Sequence, residues 1–370
     1  MGEFDLIRTF FTRPVRRAAL GVGDDCALLA PTPGMQLAVS SDMLVEGRHF
    51  FADVDPLRLG HKALAVNLSD LAACGARPLA FTLALALPRA DTAWVGAFAD
   101  GLLALADAHE CELIGGDTTQ GPLNICITVF GEVPAGQALL RSGARAGDDI
   151  YVSGSLGDAR LALEALQGHL TLPPATLAAA RLRLEMPTPR VALGQALRGI
   201  ASSALDVSDG LLGDLGHILA QSRVGACIDT RLTSPLLAAG ASLQEPLAPG
   251  HGPLGGQRAT RNEQAWGQEL LAPGRPKPAD GPLGGQRATR NEQAWGQELI
   301  RHCTLAGGDD YELCFTAAPE LRAQVAAAAR HSDTPVTRIG SVQAQAGLRL
   351  LGAQGQELVS RYASFDHFSV

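Results

Sequence analysis

At 370 residues the chain is longer than one hydrophobic core usually serves, so two domains are expected. Hydrophobic residues make up 46% and charged residues only 18%, which excludes a disordered or highly solvated chain. The formal net charge is -8 with no basic block, which argues against a nucleic-acid partner and favours cation-assisted binding of an anionic ligand. Lysine occurs only at Lys62 and Lys277, neither in a glycine-rich loop, so a P-loop enzyme is excluded and any phosphate must be neutralised by arginine, metals or backbone amides. The seven cysteines are scattered, without a Cys-x-x-Cys pair, and read as reduced core thiols. No signal-peptide pattern opens the chain and no apolar run approaches the roughly 18 residues a membrane span needs, so a cytoplasmic protein is expected.

Phe4, Ile7, Phe10 and Phe11 at helical spacing predict a short opening helix. A glycine-rich turn, Gly21-Val22-Gly23-Asp24-Asp25, then leads into a short apolar strand at Cys26-Ala27-Leu28-Leu29. Leu37-Ala38-Val39 reads as a buried strand that ends in Ser40-Ser41-Asp42. A helix is predicted from Pro56 to Cys74, with Asp70 near its end and Gly75 as its stop. Strand 81–87, helix 91–109, a strand 112–114 ending in Gly115-Gly116-Asp117, and strand 123–133 complete a first domain over 1–137. A Gly-, Ala- and Pro-rich connector follows.

The second domain, 148–370, restarts with a strand at Ile150-Tyr151-Val152, a glycine-rich loop over 153–158 whose amides could face an anion, and a helix over 159–166. Helices at 175–185 and 190–198 precede a strand at Ala204–Val207 that runs into Ser208-Asp209-Gly210 and another helix. A strand at 225–229 and a helix near 234–241 lead to a duplication: Gly252–Leu270 recurs unchanged as Gly281–Leu299, at a period of 29 residues. Two copies are too few for a solenoid, so the 245–295 region reads as a surface-loop insertion whose second copy carries the native helix. Beyond Gly307-Gly308-Asp309-Asp310, a strand at 311–316, a helix at 319–330 and strands at 336–342 and 347–351 are expected.

Asp25, Asp42, Asp117 and Asp209 share one local pattern, in which an apolar stretch gives way to small or hydroxyl residues and then a carboxylate. Any one of them reads first as a turn or cap residue. Gathered on one edge, with Asp70 and Asp309-Asp310 nearby, they would repel one another unless cations lay between them. Oxygen-only ligands without His or Cys suit magnesium, and magnesium is normally shared with substrate phosphates. The expected chemistry is metal-assisted handling of a polyphosphate.

The motifs Gly-Val-Gly-Asp-Asp-Cys-Ala, Ser-Ser-Asp-Met-Leu-Val-Glu-Gly-Arg-His-Phe, Lys-Ala-Leu-Ala-Val-Asn-Leu-Ser-Asp-Leu-Ala-Ala, Gly-Gly-Asp-Thr-Thr, Leu-Asp-Val-Ser-Asp-Gly-Leu, Gly-Gly-Asp-Asp-Tyr-Glu-Leu and Phe-Asp-His-Phe occur in the order found in the thiamine-monophosphate kinase family, which the chain resembles everywhere except about 240–290. The resemblance implies a two-domain α/β (α+β) fold like that of aminoimidazole ribonucleotide synthetase, a homodimer built through the N-terminal domains, and ATP-dependent conversion of thiamine monophosphate to thiamine diphosphate. It implies magnesium ligands at Asp25, Ser40, Ser41, Asp42, Asp70, Asp117, Asp206 and Asp209. It also implies nucleotide contacts at Asp25, Ser41, Gly116, Asp117, Arg141 and Ser208, and thiamine-phosphate contacts at His49, Asp309 and Phe365. Asp25, Asp42, Asp117 and Asp209 are the expected catalytic carboxylates. Two alternatives stay open on the residues: another ATP-using enzyme of the same superfamily, or a nucleotide or thiamine-phosphate binding protein impaired by the insertion.

Overall fold

The computed structural model describes residues 2–23, 25–239 and 296–359. The first duplicated copy, the second up to its last four residues, and the closing segment with Phe365 lie outside the described residues. After the short helix α1 (Glu3–Leu6) and a wider helical turn at Ile7–Phe11, the chain forms β1 (Met35–Val45), α2 (Pro56–Ala73), β2 (Arg77–Leu87), α3 (Thr92–Ala108), β3 (Glu112–Gln120) and β4 (Asn124–Pro134). Among the described residues these strands make a four-stranded sheet in the order β1-β4-β2-β3, antiparallel except between β2 and β3.

The second half contributes β5 (Asp149–Ser153), α4 (Asp158–Leu166), α5 (Pro174–Glu185), α6 (Val191–Ala196), β6 (Ser203–Val207), α7 (Leu211–Ser222), β7 (Gly225–Asp229) and α8 (Thr230–Thr233). Residues 296–306 are helical (α9), and β8 (Glu312–Ala317), α10 (Arg322–His331), β9 (Val336–Gln343), β10 (Gly347–Leu351) and β11 (Glu357–Leu358) follow. The second sheet runs β11-β10-β7-β9-β5-β8-β6 among the described residues, and only its β10–β7 pair is parallel.

Helix α2 is the element on which both halves close. Asp55 caps it by accepting from Leu57 N at 2.9 Å, Pro56 occupies the first turn, and Gly75 sits just past its end with φ 68°. Buried side chains surround the helix from Leu59 to Ala73, because it packs on the inner face of the first sheet, on α3, on α6 and against β6 and β8. Glycines bring these backbones into contact. A Cβ on Gly60 would lie 2.0 Å from Phe98 O, one on Gly101 1.8 Å from Leu57 O, and one on Gly194 2.0 Å from Ala72 O.

Several sequence expectations change. Ser40-Ser41-Asp42 does not end a strand; it lies in the middle of the eleven-residue β1, because polar residues are tolerated where one strand edge and one sheet face are open. Gly115-Gly116-Asp117 is likewise inside β3, where Gly116 is required because a Cβ there would lie 1.8 Å from Leu83 O. The carboxylates are therefore not gathered along one edge of strand ends, since Asp42 and Asp117 lie within β1 and β3. The strand expected at 26–29 is reduced to a single bridge between Leu20 and Leu28. Cys26 and Cys74 are exposed, although all seven cysteines are free as expected. The helix near 234–241 begins earlier, at Thr230, because Asp229 caps it by accepting from Arg231 N, and it passes into a tight 3-10 turn at Ser234–Leu236.

The α2–α3 contact gives a prediction whose sign is informative. In a helix free of such contact, Gly→Ala stabilises by about 1 kcal/mol. Here Gly60→Ala or Gly101→Ala should instead destabilise by at least about 2 kcal/mol in urea unfolding, because the new methyl would overlap a backbone carbonyl. A stabilised variant would show that the helices do not touch at these glycines.

Candidate functional site

A cavity of about 430 Å³ opens between the two sheets. Its walls include Ser41, Asp42, Arg48, His49 and Asp70 from the first half, and Arg160, Asp206, Ser208, Asp209, Asp309 and Tyr311 from the second. The inward face of β1 supplies Asp42, and α2 holds it there: Asn67 Oδ1 accepts from Asp42 N at 3.1 Å while Asn67 Nδ2 donates to Ala63 O at 3.0 Å. Asn67 thus satisfies an amide on the open edge of β1 that would otherwise lack a partner. Two residues on, Ser69 Oγ donates to Asp206 Oδ2 at 2.7 Å, and Asp70 accepts from Ser40 Oγ, so α2 ties β1 to β6 across the cavity.

Three glycine-containing turns interlock on the opposite wall. Asp309 N donates to Ser208 O at 2.8 Å and Tyr311 N to Val207 O at 2.8 Å. A Cβ on Gly308 would lie 2.4 Å from Ser208 O, so the two turns meet only because residue 308 is glycine. Asp214, in the first turn of α7, accepts from the amides of Ser208 and Asp209 at 3.1 and 3.0 Å and fixes the second turn. Three amides of the third turn, at 154–157, are consumed internally: Gly154 N donates to Pro335 O, Leu156 N to Leu236 O, and Gly157 N to the buried Asp310 carboxylate at 2.9 and 3.1 Å. That loop therefore serves as a joint between segments.

Asp309 and Tyr311 both adopt left-handed backbone, with φ 64° and 51°, which costs non-glycine residues on the order of 1–3 kcal/mol each. The conformation turns the Asp309 carboxylate toward α2, where buried Lys62 Nζ donates to its Oδ1 at 2.8 Å. Lys62 also donates to His49 O at 3.4 Å. His49 Nδ1 accepts from Val45 N at 3.0 Å, which places the proton of a neutral ring on Nε2. Lys62 thereby sets two cavity residues at once, and removing it would strand Asp309 beside a cluster of like charges.

The electrostatics follow from this crowding. Burial, then the charges of Asp70 and Asp209, raise the Asp42 carboxyl from 3.8 to about 6. Burial likewise raises Asp70, opposed by the Ser40 hydrogen bond and the Arg141 charge, and raises Asp206, helped by Asp70. Asp214 is lifted to about 7, mainly by burial and by Asp209. Such groups resist ionising together unless positive charge arrives.

The expected site residues divide between the two faces of a sheet. Ser40, Asp42, Asp70, Asp206 and Asp209 lie on the cavity side, with Ser208, His49 and Asp309. Asp117 and Gly116 are exposed on β3, and Asp117 pairs in register with exposed Ala84 on the outer face. Ser41 also borders the cavity, but its hydroxyl is turned along the sheet toward Thr128 Oγ1 at 3.0 Å and Ile127 O at 3.2 Å. Asp25 is exposed outside the cavity, and Arg141 is exposed in the connector, close enough to Asp70 to lower its carboxyl. Phe365 lies outside the described residues. Among the described residues no three His, Cys, Asp or Glu side chains are already drawn together around a metal position. The donor chemistry nevertheless fits a hard divalent cation: oxygen donors, buried, and pushed toward protonation by one another.

Residues 23–133 match the family described as AIR synthase related protein, N-terminal domain. The thiamine-monophosphate kinase of Escherichia coli K12 is 41% identical over 374 residues, an alignment covering 100% of this chain and 98% of that protein. The chain belongs to the thiamine-monophosphate kinase family. The crystal structure of the thiamine-monophosphate kinase from Stenotrophomonas maltophilia K279a shares 43% identity over 92% of each chain, with a TM-score of 0.72. The structure of AaThiL complexed with AMPPCP and TMP matches 92% of this chain and 89% of that one at 25% identity, with a TM-score of 0.64.

Within this thiamine-monophosphate kinase family member, Lys62, Asn67, Ser69, Asp214, Arg160 and Tyr311 are cavity or supporting residues that sequence reasoning passed over. Lys62 carried a readable signal: it is one of two lysines in the chain and interrupts the apolar face of a helix. Asp214 and Arg160 carried none, because i, i+4 positions in helices hold charges for many reasons.

A carboxyl raised from 3.8 to about 6 keeps its proton in the native state where the unfolded chain has lost it, so stability falls as pH rises through that window and stays lower above it. In metal-free protein at pH 8, Asp42→Asn should therefore raise the thermal midpoint by about 3 °C or more, and the advantage should vanish below about pH 4. Differential scanning calorimetry across pH, with chelator, checks both parts.

Proposed function

We propose that this chain is a thiamine-phosphate kinase, transferring the γ-phosphoryl group of ATP to the phosphate of thiamine monophosphate to give ADP and thiamine diphosphate. The observation that carries this reading is a single cavity in which His49 and Asp309, the contacts expected for the thiamine phosphate, face the carboxylates of Asp42, Asp70, Asp206 and Asp209. The acceptor is a phosphate monoester whose second pKa is about 6, so near neutrality it arrives as a dianion and no side chain needs to remove a proton. The cavity has to bring two polyanions together in line, and positioning and charge neutralisation suffice for that.

Asp42, Asp70, Asp206 and Asp209 would hold magnesium, with Ser40 and Ser41 as auxiliary oxygen donors and with Asp25 and Asp117 as further ligands from outside the cavity. When bound, magnesium would supply the positive charge that offsets the phosphates and the carboxylates. The chain's own part is to hold the geometry. Asn67 and Ser69 fix the carboxylates on either side of α2, Asp214 fixes the turn that carries Ser208 and Asp209, and Lys62 orients Asp309 and the backbone of His49. Transfer is direct, without a phosphoenzyme. Phe365 would stack on the thiamine ring, its aromatic face suiting a flat heterocycle.

Of the residues expected to contact the nucleotide, Arg141 lies in the connector beside Asp70, and Gly116 and Asp117 lie on the outer side of the first sheet. That face exposes Leu37, Val39 and Met43 of β1, an apolar strip suited to a second copy of the chain, and we infer a homodimer formed there. The division between a first domain over 1–137 and a second from 148 suits two sheets joined through the connector. A cytoplasmic setting suits seven free cysteines, and among the described residues no helix is long and apolar enough to cross a membrane.

Purified protein with ATP, thiamine monophosphate and magnesium should form thiamine diphosphate, followed by chromatography. Asp42→Asn should lower kcat by about a hundred-fold or more, the usual cost of losing an electrostatic group that acts in the transition state. Absence of diphosphate ester, with both ligands still bound, would make the chain a binding protein instead. Stable radiolabel on an aspartate after ATP alone would contradict direct transfer.

A further inference from the structure

Among the residues lining the cavity, Arg160 has no part in the proposed function so far. Arg160 lies on α4 and lines the cavity together with His49 and Asp309. One turn on, Glu164 is almost fully buried and pairs with Arg160 through Oε1, while His169 Nδ1 meets Glu164 Oε2 at 2.7 Å. Burial would push the Glu164 carboxyl up, but His169 and Arg160 outweigh it and bring it down to about 2, so Glu164 is charged at neutral pH. The stem of Arg160 is seated as well. A Cβ on Gly307 would lie 2.7 Å from Arg160 Cβ and 2.3 Å from Cys303 O, so α4 and the Gly307-Gly308-Asp309 turn come this close only because residue 307 is glycine.

A buried carboxylate that only stabilised α4 would pair as well with an arginine turned to solvent, and surface pairs of that kind contribute little. Here the arginine is fixed at the wall of a cavity that five aspartates also line, Asp42, Asp70, Asp206, Asp209 and Asp309. A guanidinium carries five N–H donors in a planar fork, so a carboxylate that holds one edge of the fork sets the plane in which an oxyanion would be met. Building on the kinase reading, we propose that Arg160 contacts the phosphate of thiamine monophosphate, and that Glu164, itself braced by His169, is the positioning residue that holds the guanidinium toward it. The acceptor is favoured over ATP because Arg160 shares the cavity with both described residues expected to contact the thiamine phosphate, His49 and Asp309, whereas of the expected nucleotide contacts only Ser41 and Ser208 line it and Asp25, Gly116, Asp117 and Arg141 do not. The thiazolium of the acceptor is cationic and would not draw an arginine; its phosphate would.

Equilibrium binding to the full chain, with magnesium and without ATP, isolates the phosphate contribution by comparing thiamine monophosphate with thiamine. Arg160→Gln should weaken thiamine monophosphate by about ten-fold or more, while thiamine and a non-hydrolysable ATP analogue stay within about two-fold. In turnover, KM for thiamine monophosphate should rise more than kcat falls, and Arg160→Lys should recover part of the loss. Because Arg160→Gln strands a buried carboxylate, the paired variant Arg160→Gln/Glu164→Gln removes both charges and should show the same selective loss in a stably folded chain. Unchanged affinity for thiamine monophosphate in both variants would overturn the proposal, as would an equal loss for thiamine or a loss confined to the ATP analogue. A wild-type chain that binds thiamine monophosphate but never phosphorylates it would count against the kinase reading alone, since the affinity ratio still judges Arg160.

Discussion

Like charges held together against their own repulsion are the constraint on which this structure turns. Asp42, Asp70, Asp206 and Asp209 come from a strand, a helix, a second strand and the turn after it, and their charges act on one another across one cavity. Nothing in their own interaction favours that arrangement. It is imposed by α2, whose Asn67, Ser69 and Asp70 reach β1 on one side and β6 on the other. The glycine contacts that let α3 and α6 lie directly on α2 keep the helix from shifting to relieve the strain. A core packed this closely can hold a polar cluster in an unfavourable state because side chains have no room to rearrange. Any divalent cation that bound the native cluster and not the unfolded chain would return the stability given up there.

Much of the element order was legible because it rests on local signals. The Pro56 start and Gly75 stop of α2, the period-two runs of β2 and β4, and the Val-Ser-Asp-Gly turn after β6 each carry their own chemistry. Expectation failed where tertiary context overrode a local pattern. Ser40-Ser41-Asp42 looks like the end of a strand because polar residues usually mark one; β1 continues to Val45 because β4 pairs with it throughout and Asn67 supplies a partner on the open edge. Gly116 looks like a turn glycine, but it is there so that β3 can approach the backbone of Leu83.

The site was legible in its acids and not in their supports. Aspartates recurring in similar surroundings announce themselves, and the cavity gathers Asp42, Asp70, Asp206, Asp209 and Asp309. That β1 and β3 would turn Asp42 and Asp117 to opposite sides of one sheet depends on strand register, which alternates residue by residue and is invisible until pairing is known. The same applies to Lys62 and Arg160. A lysine inside an apolar helix and an i, i+4 Arg–Glu pair acquire meaning only when a loop more than a hundred residues away is folded against them.

If crowding keeps the cavity's carboxylates partly protonated, a divalent cation that binds them must displace protons. Calorimetric titration of magnesium into metal-free protein near pH 6.5, in two buffers of different ionisation enthalpy, tests it most directly. Binding accompanied by release of on the order of one proton per chain, and lost in Asp42→Asn, is the predicted result. Binding with no proton release, or no binding at millimolar magnesium, would contradict the account.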